Sequence, residues 1–176
     1  MENNKIIALH SELITKHGKP RGQWSLWCKR PKTAEEKEAV IIEAILTQRT
    51  NWKNVEMAMY NLRAAKITRL KGIAKAGADA IAPLIRPSGF YAQKSKYLLE
   101  LSRFILEKYG TAGKMQDAPL EELREALLLQ KGVGPETADS ILLYALEKPV
   151  FVIDEYTRRI AKAKGISEDR NYARLQ

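Results

Sequence analysis

Two stretches of the chain hold residue types that can do chemistry. The first is Gly132-Val133-Gly134-Pro135. Two glycines one residue apart let a backbone turn sharply and come close to a surface. Pro135 suits the first turn of a helix, where its missing N–H costs nothing and its fixed φ is already helical. The amides of such a hairpin, with the start of the helix behind it, point outward as anion donors. Lys131 beside the hairpin adds positive charge, so a phosphate is a natural ligand. The second stretch centres on Asp154, which follows the apolar run Val150-Phe151-Val152-Ile153 and precedes Glu155 to Ile160, a segment that reads as a new helix. An aspartate there is a natural N-cap. Taken alone the residue reads as a cap first; a carboxylate's other use, stabilising positive charge, needs a reason from elsewhere in the pattern.

Helices must position both stretches. Leu120, Leu123 and Leu127 mark one that enters the hairpin, and Ala138, Ile141, Leu142 and Ala145 recur at helical spacing after it. The unit is helix, glycine hairpin, helix, with one face of the second helix given to a core. Upstream, Ile6, Ile7, Leu9 and Leu13 predict a helix over 5–16. Gly18, Pro20, Gly22 and Pro31 predict a loop over 17–32 that carries Trp24 and Trp27. Two tryptophans in a polar loop serve either as half-buried packing anchors or as a wall that stacks on a base. Thr33-Ala34-Glu35-Glu36 has the form of a capping box and opens a central helix over 34–49, with Val40, Ile41, Ala44, Ile45 and Gln48 along one stripe. An amphipathic helix comes next over 52–65, and short helices over 68–76 and 78–86. A long helix over 91–109 begins with Gln93, Lys94 and Lys96, which read equally as a phosphate contact or a solvated face. Gly110 stops it. Pro149 to Ile153 reads as a buried connector, and no strand-period alternation of useful length occurs. The fold class expected is all-α.

The chain has 176 residues, enough for one or two small domains with a real core. Its 30 Lys and Arg against 21 Asp and Glu give a formal net charge of +9, which favours a polyanion such as DNA, RNA or an anionic membrane surface. Cys28 is the single cysteine, which excludes an intrachain disulfide and a cysteine metal cluster. No segment resembles a signal peptide and no apolar run is long enough to span a bilayer, so a cytoplasmic location is expected.

The pattern L-x-x-x-x-G-V-G-x-x-T-A, then an apolar helix, then V-I-D-x-x-x-x-R, resembles the helix-hairpin-helix (HhH-GPD) DNA glycosylases of the endonuclease III superfamily. ILTQRTNWKNV (45–55) and SGFYAQKSKYL (88–98) are similar to family segments, so the resemblance covers most of the chain. It implies two helical subdomains with a cleft between them. The first is a bundle over 34–148 that contains the helix-hairpin-helix at about 120–147. Residues 1–33 and 149–176 form the second, with Asp154 at the junction. Family members usually continue through further helices, and many end in four cysteines that bind an iron–sulfur cluster. This chain lacks those cysteines, so the second subdomain is expected to be C-terminally truncated or reduced and to hold no iron–sulfur cluster.

The resemblance makes Asp154 the catalytic aspartate of a base-excision-repair glycosylase. It makes Lys131, Gly132, Val133, Gly134 and Thr137 DNA contacts. Gln48 matches a glutamine that fills the gap left by a flipped base; by itself it reads as a solvated helix end. Trp24 and Trp27 match a Trp-rich base-stacking wall of relatives that excise alkylated purines, although adjacent aromatics are expected there. Bifunctional relatives carry a lysine two residues beyond the second hairpin glycine, and that amine forms a Schiff base with C1′. Glu136 stands at this position and cannot do so, which implies a monofunctional enzyme without AP lyase activity. Glu136 either faces the pocket, as a carboxylate suited to a cationic base, or only favours the helix N-terminus electrostatically. An alkylated purine such as 3-methyladenine fits best as substrate, on double-stranded DNA, for a monomer associated with the nucleoid. No metal or organic cofactor is implied; a monovalent or divalent cation at the hairpin stays open. The alternatives are a uracil or thymine mismatch glycosylase and a catalytically inactive DNA-binding protein.

Overall fold

The computed structural model describes residues 2–22, 24–169 and 171–175. The described residues form helices and no strand, so the fold is all-α. The chain divides into two compact units. The larger runs over Arg30–Val150; the smaller combines Met1–Lys29 with Phe151–Gln176. The sequence pattern puts these boundaries at 33/34 and 148/149. The residues at the start of the larger unit bond into it: Arg30 Nη2 donates to the Leu143 carbonyl at 2.8 Å, and the Lys32 N–H to Glu147 Oε1 at 2.7 Å.

The larger unit is built around α3 (Ala34–Leu46), whose Val40, Ile41, Ile42, Ile45 and Leu46 are wholly buried. Its start is fixed by the expected capping box: the Thr33 hydroxyl accepts from the Glu36 N–H, and the Glu36 carboxylate accepts from the Thr33 N–H at 2.8 Å. Such a reciprocal cap satisfies two donors that a helix start otherwise leaves unpaired. Around α3 lie α4 (Trp52–Ala64), α5 (Leu70–Ala76), α6 (Ala78–Ile81), α7 (Tyr91–Tyr109), α8 (Ala112–Met115), α9 (Leu120–Leu128) and α10 (Pro135–Ser140). The last continues into a π-type turn over Ile141–Ala145. The span that reads as one helix over 78–86 is α6, then an irregular stretch and a 3₁₀ turn over Arg86–Ser88. α8, a single turn capped by Thr111, has no counterpart among the expected helices.

In the smaller unit, α1 (Glu2–His17) and α2 (Trp24–Trp27) accompany α11 (Glu155–Ala163) and α12 (Tyr172–Leu175). Glu12 on α1 accepts from Lys164 Nζ, just past α11, at 2.8 and 2.9 Å, and the ammonium beside it holds the Glu12 carboxyl below its ordinary range. The connector at Phe151–Ile153 has no regular secondary structure and is only partly buried: Ile153 is enclosed, whereas Phe151 is exposed. No helix among the described residues is long and apolar enough to cross a membrane.

Candidate functional site

The hairpin is held from three sides within the larger unit. From within, the Val133 N–H donates to the Gln130 carbonyl at 3.1 Å and the Val133 side chain is buried. From below, the Tyr97 ring of α7 sits against Gly132. A Cβ at Gly132 would lie 2.1 to 2.5 Å from three ring carbons, and the residue has φ +82°. Both the left-handed backbone and the close ring therefore require glycine here. From the side, Gln48 Nε2 donates to the Gly132 carbonyl at 2.9 Å and to Thr137 Oγ1 at 3.0 Å.

Gly134 is different. Its φ of −88° and ψ of 177° are extended backbone that any residue adopts, and a Cβ there would meet nothing within 4 Å. The residue is exposed and forms the N-cap of α10, with Pro135 at the first helical position as expected. Nothing among the described residues requires a glycine at this point. Among the described residues, the N–H groups of Gly132 and Gly134 have no acceptor. Lys131 and Glu136 are exposed on either side. The two helices of the motif are locked together by Arg124 of α9, which donates to both oxygens of the fully buried Asp139 of α10 at 2.8 and 3.2 Å.

Asp154 lies in the smaller unit and is the N-cap of α11. Its backbone is extended (φ −90°, ψ 179°), and Oδ1 accepts from the Thr157 N–H at 2.7 Å. The Thr157 hydroxyl in turn donates to the Val152 carbonyl at 3.3 Å. One carboxylate oxygen is thus committed to holding the group in place. The other, Oδ2, has no hydrogen-bond partner among the described residues, so it is available to a substrate or a water. Cap and chemical group are compatible roles for one aspartate.

Trp24 and Trp27, also in the smaller unit, are not in a loop but on α2, one helical turn apart. Their rings meet edge to face with centroids 5.7 Å apart. Trp27 is 6% exposed and Trp24 37%. The intervening Ser25 and Leu26, which in the sequence separate the two rings, are what bring them together once the segment is helical.

Two polar side chains have partners remote in the sequence. Gln48 is half-buried, with its amide Nε2 turned onto the hairpin. Lys94, which reads as a phosphate contact or part of a solvated face, is 2% exposed, and its ammonium donates to the carbonyls of Leu46 and Ser88, each at 2.8 Å. Gln48, Gly132 and Thr137 are brought together, as are Trp24 and Trp27. Tyr97, Arg124 and Asp139 are supports that the sequence pattern does not assign to the hairpin. Tyr97 carries a signal, since it lies on the apolar stripe of α7 with Leu98 and Leu101.

This geometry, two helices joined by an amide-presenting glycine hairpin in an all-α frame, matches known proteins. A solved structure of a Helicobacter pylori 3-methyladenine DNA glycosylase bound to 1,N6-ethenoadenine superposes with a TM-score of 0.77 and 32% identity, covering 99% of this chain and 77% of that one. Residues 42–175 match the model of the HhH-GPD superfamily of base excision DNA repair proteins, and the chain belongs to that family. A Methanocaldococcus jannaschii protein named as a DNA repair glycosylase is 43% identical over 139 residues, 78% of this chain and 63% of that protein. The endonuclease III of Thermotoga maritima is 37% identical over 126 residues, 72% of this chain and 55% of the relative. The chain thus spans rather less than two thirds of the length of these two relatives.

Proposed function

We propose that the protein is a monofunctional DNA glycosylase that removes an alkylated purine such as 3-methyladenine from double-stranded DNA. The observation that carries this reading is Asp154. It is a carboxylate oriented by its bond to the Thr157 N–H, with one oxygen unclaimed, in a chain that also presents Gly132 and Gly134 amides for a phosphate. Breaking an N-glycosidic bond builds oxocarbenium character on the deoxyribose. A fixed carboxylate beside C1′ stabilises that charge. Water then adds to C1′, the base departs with the bonding electron pair, and the proton of the water passes to Asp154 or solvent. A purine alkylated on a ring nitrogen is already cationic and leaves as a neutral base, so no strong general acid is needed. The base must first leave the stack, and the T-shaped Trp24–Trp27 pair, with Trp24 accessible, offers a surface on which an electron-poor ring stacks. Lys131, Gly132, Val133, Gly134 and Thr137 hold the backbone of the duplex, with Thr137 and Val133 acting through the hairpin's shape.

The absence of AP lyase activity rests on Glu136, which stands exposed in the first turn of α10, where a Schiff-base lysine would be needed. The H. pylori structure, named for 3-methyladenine and solved with an ethenoadenine, supports a modified purine as the substrate class. The chemistry requires neither metal nor organic cofactor, and one copy of the chain carries every residue named. The test is base release from methylated duplex DNA by wild type and Asp154→Asn, with strand integrity scored before and after alkali. Methylated purine released by wild type alone, with breaks only after alkali, is the expected result. Breaks without alkali would refute the monofunctional reading. Release only from uracil-containing or mismatched duplexes would replace the substrate class, and tight binding with no release would leave a DNA-binding protein.

A further inference from the structure

Lys94 is an unusual group: a cation enclosed in the larger unit with no carboxylate bonded to it among the described residues. Both hydrogen bonds of its ammonium go to backbone carbonyls, Leu46 O at the last residue of α3 and Ser88 O in the 3₁₀ turn before α7. Helix ends leave carbonyls without intrahelical partners, and a cation there both satisfies one and complements the negative end of the helix. The residues just past Leu46 lead directly to the hairpin. Thr47 turns its hydroxyl back onto the Glu43 and Ala44 carbonyls, and Gln48 then reaches across to the Gly132 carbonyl and Thr137. The turn finishes on Arg49, a non-glycine residue at φ +51° that persists only where its surroundings hold it. One turn of α7 beyond Lys94, Tyr97 supports Gly132 from below. The same face of one helix therefore supplies a support for each side of the hairpin.

We propose that Lys94 is a positioning residue for DNA binding: its buried ammonium ties the end of α3 to the turn before α7, and so holds the Gln48 amide on the hairpin carbonyl. This rests on the reading of the hairpin as a duplex-binding element. Lys94 itself never meets DNA, because at 2% exposure no phosphate can reach it. It acts through Gln48, which fixes the peptide plane between Gly132 and Val133 and thereby aims the neighbouring N–H groups. Burial lowers the ammonium from its ordinary 10.5 to about 8.

The experiment is a double-mutant cycle on affinity for an undamaged fluorescent duplex, by anisotropy at fixed salt, with Lys94→Met, Gln48→Ala and their combination. Wild type should bind. Lys94→Met, which keeps the stem and deletes the charge, should weaken binding about tenfold, equivalent to one or two hydrogen bonds. Gln48→Ala should weaken it by a similar factor, and the double variant should be no weaker than the poorer single one. Lys94→Arg, which restores a cation, should recover most of the loss. Losses that multiply in the double variant, or a folded Lys94→Met that binds as wild type does, would overturn the proposal. Lys94→Gln, which keeps a polar donor, takes the place of Lys94→Met if the latter does not fold. Failure of both to fold would also overturn it, since the ammonium would then hold the core rather than the hairpin. Absence of duplex binding by wild type would instead count against the proposed function.

Discussion

The sharpest test of the hairpin's construction is Gly132→Ala. Two costs add at this position. An L-residue at φ +82° costs roughly 1–2 kcal/mol against the left-handed backbone. The added methyl would lie 2.1, 2.4 and 2.5 Å from three Tyr97 ring carbons, where about 3.5–4.0 Å is the ordinary separation. The ring must therefore move by more than an ångström within a packed unit, a form of overpacking that costs about 1–3 kcal/mol. The sum is about 2–5 kcal/mol, or a fall in melting temperature of about 5–15 °C for a chain of this size. Urea unfolding of Gly132→Ala, Tyr97→Ala and the double variant separates the two parts. The double variant should lose the overlap and keep the backbone strain, giving a favourable coupling of about 1–3 kcal/mol. A Gly132→Ala protein within about 0.5 kcal/mol of wild type, or one whose loss is unaffected by removing the Tyr97 ring, would refute the reasoning.

Gly134→Ala should behave in the opposite way. Its backbone is extended and its Cβ meets nothing, so stability should be unchanged or raised by about 0.4–1 kcal/mol in urea melts, while the duplex-binding role proposed for the hairpin predicts a fall in duplex affinity. Arg124→Met leaves the Asp139 carboxylate buried without its cation and should cost about 3–5 kcal/mol in urea unfolding; Arg124→Met with Asp139→Leu should recover much of that loss. Asp154→Asn should abolish base release yet melt within about 0.5 kcal/mol of wild type, because asparagine caps α11 as well as aspartate does. Lys94 gives stability a pH dependence. Between about 8 and 10.5 the unfolded chain holds a proton that the folded chain has lost, so stability rises with pH through that window. The full gain from this group is about 3 kcal/mol, and urea midpoints across the window should show it in wild type and lack it in Lys94→Met.

What the sequence carries, and what it does not, divides by the range of the interaction. Local signals hold: the Thr33 capping box, Pro135 at the first turn of α10, Asp154 as N-cap and the Ala138–Ile141–Leu142–Ala145 face all depend on neighbours three or four residues away. What the sequence leaves unread is the partners of polar side chains that are remote along the chain. Lys94 at the exposed-looking start of a helix is enclosed by carbonyls 48 and 6 residues away, and Gln48 bonds to groups 84 and 89 residues away. A lysine or glutamine near a helix end reads as solvated by default because such residues are mostly exposed. Only tertiary placement reveals an acceptor. The loop expected over 17–32 differs for another reason: glycines and prolines on both sides mask a single helical turn at 24–27. Glycine itself is legible as a pair but not as two different requirements. Gly132 answers to the Tyr97 ring and its own backbone, whereas Gly134 has open space around it and a backbone any residue adopts.

The clips at Arg30 and Lys32 have a consequence for the ends of the larger unit. Arg30 bonds to the carbonyl of Leu143 in the π-type turn, and Lys32 to the carboxylate of Glu147, which itself sits at φ +57° just past it. The first residues of the larger unit are thus fastened to its last ones, so residues 30–150 form a closed circuit whose two ends emerge side by side. Such a body has the geometry of a cassette. Its first and last residues are constrained by each other, through bonds that lie wholly inside the unit.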